Sequence, residues 1–124
     1  MDRRSFLGLL ALFLLPKTVP ADERNRVLML NRCCVAGLQY HPGVGLSLKS
    51  GEPVTMRREP ENPYDANAVA LFAKGVKLGY IPKRENTTLA MLLDQNARLR
   101  ARVETFDAEA RSWERVKIVV EQVI

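Results

Sequence analysis

Residues 97–106, ARLRARVETF, alternate without a break. Leu99, Ala101 and Val103 fall on one side of an extended chain, and Arg98, Arg100 and Arg102 on the other. A period of two with one apolar side dictates a half-buried strand and excludes a helix. A lone strand of this kind is unstable in water, so the rest of the chain must supply partners.

The partners are legible. RVLMLNRCCVAGLQY (26–40) is rich in β-compatible residues, with Gly37 marking a bend or bulge. After the HPGVG turn, LSLKSGEP leads to PVTMRRE (53–59), where Val54 and Met56 alternate with Thr55 and Arg57. NPYDANAVALFA gives a turn and a third strand. Lys74-Gly75 makes a tight hairpin into VKLGYI (76–81), which Pro82 stops. Asn86 or Thr87 can cap a helix carrying Leu89, Leu92 and Leu93 at i, i+3, i+4, and Asp94-Gln95-Asn96 ends it. The last strand lies in RSWERVKIVVEQVI, with Val116, Ile118 and Val120 facing inward and Trp113 as a lid on the core or a stacking surface. The expected fold is mainly β: a small, partly open barrel of OB-like or SH3-like size, with about six strands and one or two short helices.

The chain has 124 residues and a formal charge of +5. One core fits that length. The N-terminus reads as an export signal, MDRRSFLGLLALFLLPKTVPAD, with Arg3 and Arg4 before an apolar run from Phe6 to Leu15. Ten helical residues span roughly 15 Å, about half the hydrocarbon core, which is too short for a stable transmembrane helix. Val19 and Ala21 suit signal peptidase, and RRSFL resembles a twin-arginine signal. The expectation is an exported, periplasmic protein: residues 1–21 form the signal and 22–124 the domain. Three cations and one anion leave with the signal, so the charge becomes +3.

Cys33 and Cys34 are adjacent, so a disulfide between them would be strained; Cys34 reads as a small core hydrophobe. With His41 they are too few for a structural zinc site, and no cofactor is expected. No phosphate-binding loop is present, and no Ser–His–Asp or Cys–His set has a workable spacing. The chain reads as a non-enzyme. The arginine stripe reads as a solvated strand face, with phosphate tracking as its alternative.

Three stretches place chemistry at strand ends. GLQYHPG carries Tyr40. REPENPYD carries Arg58, Glu59, Asn62, Tyr64 and Asp65. GYIPK carries Tyr80 and Lys83. Strand ends of a barrel converge on a rim, so the three can form one site. Asn62–Asp65 can also be turn chemistry alone, with Asp65 capping the next turn through an Asx bond.

Over roughly residues 28–107, GLQY, REPENPYDANAVAL and LGYIPK…LA.LLD resemble the HIRAN domain. That family occurs at the N-terminus of eukaryotic fork-remodelling helicase-like proteins and as stand-alone bacterial proteins. The resemblance implies a modified OB-like barrel that holds the 3′ end of single-stranded DNA. By it, Tyr40 and Tyr64 match the rings that stack on terminal bases, Asp65 the carboxylate that accepts from the 3′-hydroxyl, Asn62 a second polar contact and Lys83 a phosphate contact. Gln39 stands where DNA-binding members have a basic residue, and Tyr80 where they have histidine; both changes remove phosphate attraction. The alternative is an envelope interaction module that keeps the fold for a different ligand or an unidentified protein partner.

Overall fold

The computed structural model describes residues 26–38 and 47–124. The expected export signal, Gln39, Tyr40 and His41 lie outside the described residues. The strands are β1 (Val27–Cys34), β2 (Pro53–Glu59), β3 (Ala68–Ala73), β4 (Val76–Tyr80), β5 (Leu99–Phe106) and β6 (Val116–Val123). They form one six-stranded antiparallel sheet in the order β1-β6-β5-β2-β3-β4. Among the described residues there are also one helix, α1 (Thr87–Asp94), and two single 3-10 turns, Lys83–Glu85 and Ser112–Glu114.

The edges of the sheet meet. Beyond β1, Ala36 pairs with Tyr80 of β4, which curls the sheet into a partly open barrel. Gly37 follows at φ +58° and turns the chain away. The β3–β4 hairpin is the two-residue type that the strand twist favours, with Lys74 at φ +53° and Gly75 at φ +76°.

The inward-facing residues expected from alternation are inside. Val54, Ala101, Val103, Val116, Ile118 and Val120 are buried, together with Val69, Leu71, Leu78 and Ile81. Leu89 of α1 is buried, and Leu93 packs against the same core. Two outward positions of β6, Val119 and Glu121, are buried as well. β6 is a central strand, and the longer side chains of its neighbours lean over it. Arg100 and Arg102 of β5 both reach the Glu121 carboxylate, at 3.1 and 3.2 Å. Burial alone would raise the Glu121 pKa; the two guanidiniums outweigh it and hold the carboxyl below its usual range. Part of the arginine stripe is therefore ion-paired across the sheet.

Three expectations are corrected. Cys33, and not Cys34, is the buried cysteine; Cys34 is half-buried. Alternation decides this, because Cys33 pairs with the inward Ile118 and Cys34 with the exposed Lys117. Trp113 is no lid on the core. It is 60% exposed on the β5–β6 connection, with the Arg111 guanidinium 5.6 Å from its ring centre. Asn86 does occupy the cap position of α1, but its side chain makes no cap bond.

Candidate nucleic-acid interface

Residues 59–68 form three successive turns. Asn62 N–H donates to Glu59 O at 3.0 Å, Asp65 N–H to Asn62 O at 3.3 Å, and Ala68 N–H to Asp65 O at 3.1 Å. Pro63 sits second in the middle turn, where its fixed φ is already correct. Side chains reinforce the backbone: Tyr64 N–H donates to Asn62 Oδ1 at 2.8 Å, and Asn67 N–H to Asp65 Oδ1 at 2.9 Å. The Asx bond expected of Asp65 is present.

A guanidinium holds this rim to the body. Arg58, at the end of β2, donates to Ala68 O at 2.7 Å and to Ala66 O at 3.0 Å. It also grips the Asp94 carboxylate through Nε and Nη2, at 2.9 and 3.2 Å. Two backbone acceptors and one carboxylate suit a planar five-donor head better than an ammonium.

Beside the rim is an open groove of about 490 Å³. Asn62, Pro63, Tyr64 and Asp65 form one lip, and Ala36, Gly37, Tyr80, Ile81 and Lys83 the other side. The structure thus brings together five of the seven expected site residues, Asn62, Tyr64, Asp65, Tyr80 and Lys83. Gln39 and Tyr40 continue the chain from Leu38 and lie outside the described residues.

The five are not equivalent. Tyr64 is 86% exposed, a ring held out by its backbone and packed on little. Lys83 reaches back to Tyr64 O at 3.3 Å, which brings an ammonium against the same lip. Tyr80 contributes a ring wall, because its hydroxyl is occupied: it donates to Glu59 Oε1 at 2.9 Å and accepts from Lys77 Nζ at 2.7 Å. Asn62 donates to the same Glu59 oxygen at 3.0 Å, so both ends of its amide serve the turn. Glu59 is held below the usual carboxylate range, by Asn62 first and then by Tyr80 and Lys77. Lys77 is held above its ordinary value, mainly by its bond to Tyr80 and then by Glu59.

Asp65 has one donor on each oxygen. Besides Asn67 on Oδ1, the Asn86 amide donates to Oδ2 at 2.7 Å. These two bonds, with the nearby charges of Lys83 and Arg58, keep the carboxyl below its usual range. An ionised carboxylate has about four acceptor positions, so each oxygen keeps capacity for one more donor. The site can therefore accept a hydrogen bond, offer a flat ring and attract an anion through Lys83. Among the described residues, no group of three or more His, Cys, Asp or Glu side chains could hold a metal ion.

Sequence reasoning missed Asn86, Lys77 and the inward role of Glu59. Asn86 looked like a cap because its spacing to the helix is right. Only the fold shows that its amide donates to Asp65 and makes no bond to the helix N–H groups.

A family model described as the HIRAN domain matches residues 31–122. The helicase-like transcription factor of Oryctolagus cuniculus is 39% identical over 61 residues, covering 48% of this chain and 6% of that protein. The Mus musculus protein of the same name is 36% identical over 77 residues, covering 60% of this chain and 7% of that protein. The chain thus corresponds to a small fraction of these curated relatives' length. Among solved structures, a protein from Lactobacillus plantarum is 29% identical with a TM-score of 0.67, covering 78% of this chain and 95% of that one. The HIRAN domain of human HLTF is 22% identical with a TM-score of 0.56, covering 77% of each chain, a likeness of fold.

Proposed function

This chain belongs to the HIRAN domain family, and from that premise we propose that its groove holds the 3′-hydroxyl end of a single DNA strand. One observation carries the reading: an almost fully exposed ring, Tyr64, stands next to an ionised acceptor, Asp65, on one rigid turn. An exposed tyrosine gains little from folding and has a face to offer. Stacking a base on it is worth roughly 1–3 kcal/mol and is indifferent to base identity.

In this arrangement the terminal base lies on Tyr64, and the 3′-hydroxyl donates to Asp65. Lys83 neutralises a phosphate near the start of its 3-10 turn. Tyr80 lends the groove wall a ring face, with its hydroxyl committed elsewhere. Tyr40, by the family resemblance, supplies a second ring, and Gln39 leaves the neighbouring phosphate without a cation. In this reading the module binds the strand end without catalysing a reaction on it. Binding of a labelled oligodeoxynucleotide to the wild type and to Tyr64→Ala tests this. The variant should bind more weakly by about 1–3 kcal/mol while unfolding at the same denaturant concentration. An unchanged affinity refutes the role of the ring.

The N-terminal pattern supports a second reading, in which residues 1–21 direct export and the same barrel serves the periplasm as an interaction module. Mass spectrometry of the envelope fraction should then find a chain beginning near Asp22. Replacing Arg3 and Arg4 by Lys should impair export by the twin-arginine route. A chain starting at Met1 in the cytosol refutes export.

A further inference from the structure

Asn86 is 1% exposed, a buried amide at the start of α1. Its backbone serves the helix: Asn86 O accepts from Ala90 N–H at 2.8 Å. Its side chain does not. It crosses to the rim and donates to Asp65 Oδ2 at 2.7 Å. A buried amide without a partner is costly, so the burial of Asn86 and the placement of Asp65 depend on each other.

The other end of α1 is tied to the same turn. Asp94, its last residue, accepts from Nε and Nη2 of the Arg58 guanidinium, at 2.9 and 3.2 Å. That guanidinium also holds the carbonyls of Ala66 and Ala68, on either side of Asn67. The rim is thus fixed to the first and the last turn of one short helix.

A carboxylate on an exposed turn would ordinarily rotate about two bonds. Here Asn67 N–H holds one oxygen from within the turn, and Asn86 holds the other from the helix. We propose that Asn86 is a positioning residue that fixes the Asp65 carboxylate in the groove and aims its remaining lone pairs at the donor of a bound ligand. The inference rests on the strand-end reading for the identity of that ligand, not for the tie between the two residues. An acceptor that is already ordered loses less freedom on binding. The charged groups facing Asp65 are Lys83 from the 3-10 turn and Arg58 from β2, and both favour its ionised form.

The test uses the full chain with Asn86→Ala, Asn86→Asp and, as a control, Thr87→Ala at the exposed neighbouring position. Carbon-detected NMR follows the titration of the Asp65 carboxyl with no ligand present. It should move up toward the ordinary carboxylate value in Asn86→Ala. In Asn86→Asp the two carboxyls should titrate as a coupled pair, so that the single Asp65 step of the wild type is replaced by two. Thr87→Ala should leave the wild-type titration unchanged. Asn86→Asp preserves the side-chain volume and stays readable if the alanine variant is poorly folded. Affinity for a 3′-hydroxyl oligodeoxynucleotide should fall about tenfold in Asn86→Ala, the loss of one ordered charge-assisted contact. An Asp65 titration identical in the wild type and both Asn86 variants overturns the inference. A titration that moves, in a protein whose wild type ignores the chemistry of the strand end, upholds the positioning and refutes the strand-end reading alone.

Discussion

Ala36 and Tyr80 exchange both of their backbone hydrogen bonds, at 2.8 Å in each direction, and so close the barrel at the edge of the groove. The closure explains the glycine one position earlier. A Cβ on Gly79 would stand 2.3 Å from Ala36 O and 2.8 Å from a Val35 methyl. Neither neighbour can yield, since one is paired backbone and the other is buried. Gly79→Ala should therefore destabilise the fold by roughly 1–3 kcal/mol, as overpacking does. Equilibrium urea unfolding measures it, and an unchanged midpoint would show that the closure is looser than described.

Arg58 is 14% exposed and Asp94 54% exposed, so their pairing is only partly screened by water. Arg58→Lys keeps the charge and loses the fork and at least one carbonyl contact. A loss of about 1–2 kcal/mol is expected by the same unfolding assay, the scale of charge-assisted hydrogen bonds at a partly exposed site. Asp94→Asn should cost less, because the two carbonyl bonds of Arg58 survive.

The pH dependence of stability follows from five groups. Glu59, Asp65 and Glu121 have folded-state pKa values below their ordinary ones. Their contribution is complete above the unfolded carboxylate values, about 4, and is lost as pH falls through the lower folded values. Lys77 is shifted upward, so its contribution is complete below the unfolded lysine value, about 10.4, and is lost as pH rises through the folded one. Cys33, raised to about 12, keeps its proton in the folded state, so stability is also lost as pH rises from the unfolded thiol value, about 8.5, toward the folded one. The unfolding midpoint should be level from about pH 5 to about pH 8 and fall on both sides. Glu121→Gln should shallow the acid limb; an acid limb of equal slope in that variant would contradict the arginine–glutamate account.

The two cysteines should react differently. Burial first, then Glu85 and Cys34, pushes the Cys33 thiol up to about 12. Cys34 is half-buried and lines a surface pocket with Asp107, Glu114 and Lys117. Alkylation of the native protein at pH 8 should label Cys34 and leave Cys33 intact until the protein is unfolded, as peptide mapping would show. Equal labelling of both would place β1 in a different register.

How far the sequence reaches can be judged from particular residues. The alternation of Leu99, Ala101 and Val103 against three arginines predicts β5, and Lys74-Gly75 predicts the β3–β4 hairpin, because both depend on local sterics and a two-residue period. Cys33 and Cys34 were assigned the wrong way round, since neighbouring apolar residues give no phase of their own; pairing with β6 decides it. Trp113 was expected against the core, but hydrophobicity alone does not fix which side of a loop a ring takes. In the site, Asn62, Tyr64 and Asp65 stand out through turn chemistry and family resemblance. The bond from Asn86 to Asp65 joins positions 21 residues apart, and no local pattern distinguishes it from an ordinary helix cap.

Fluorescence anisotropy of a short single strand, bearing either a free 3′-hydroxyl or a 3′-phosphate, tests the central claim most directly. In the proposed complex the ionised Asp65 would accept from a hydroxyl and repel a phosphate. At a solvent-open site that repulsion is worth on the order of 1 kcal/mol, so the hydroxyl end should bind about fivefold tighter. Asp65→Asn should narrow this gap more than it weakens binding overall, because an oxygen acceptor remains while the charge is gone. Both affinities should fall with added salt as phosphate contacts release counterions. Equal binding of the two ends, or no binding with the strand at millimolar concentration, would contradict the account.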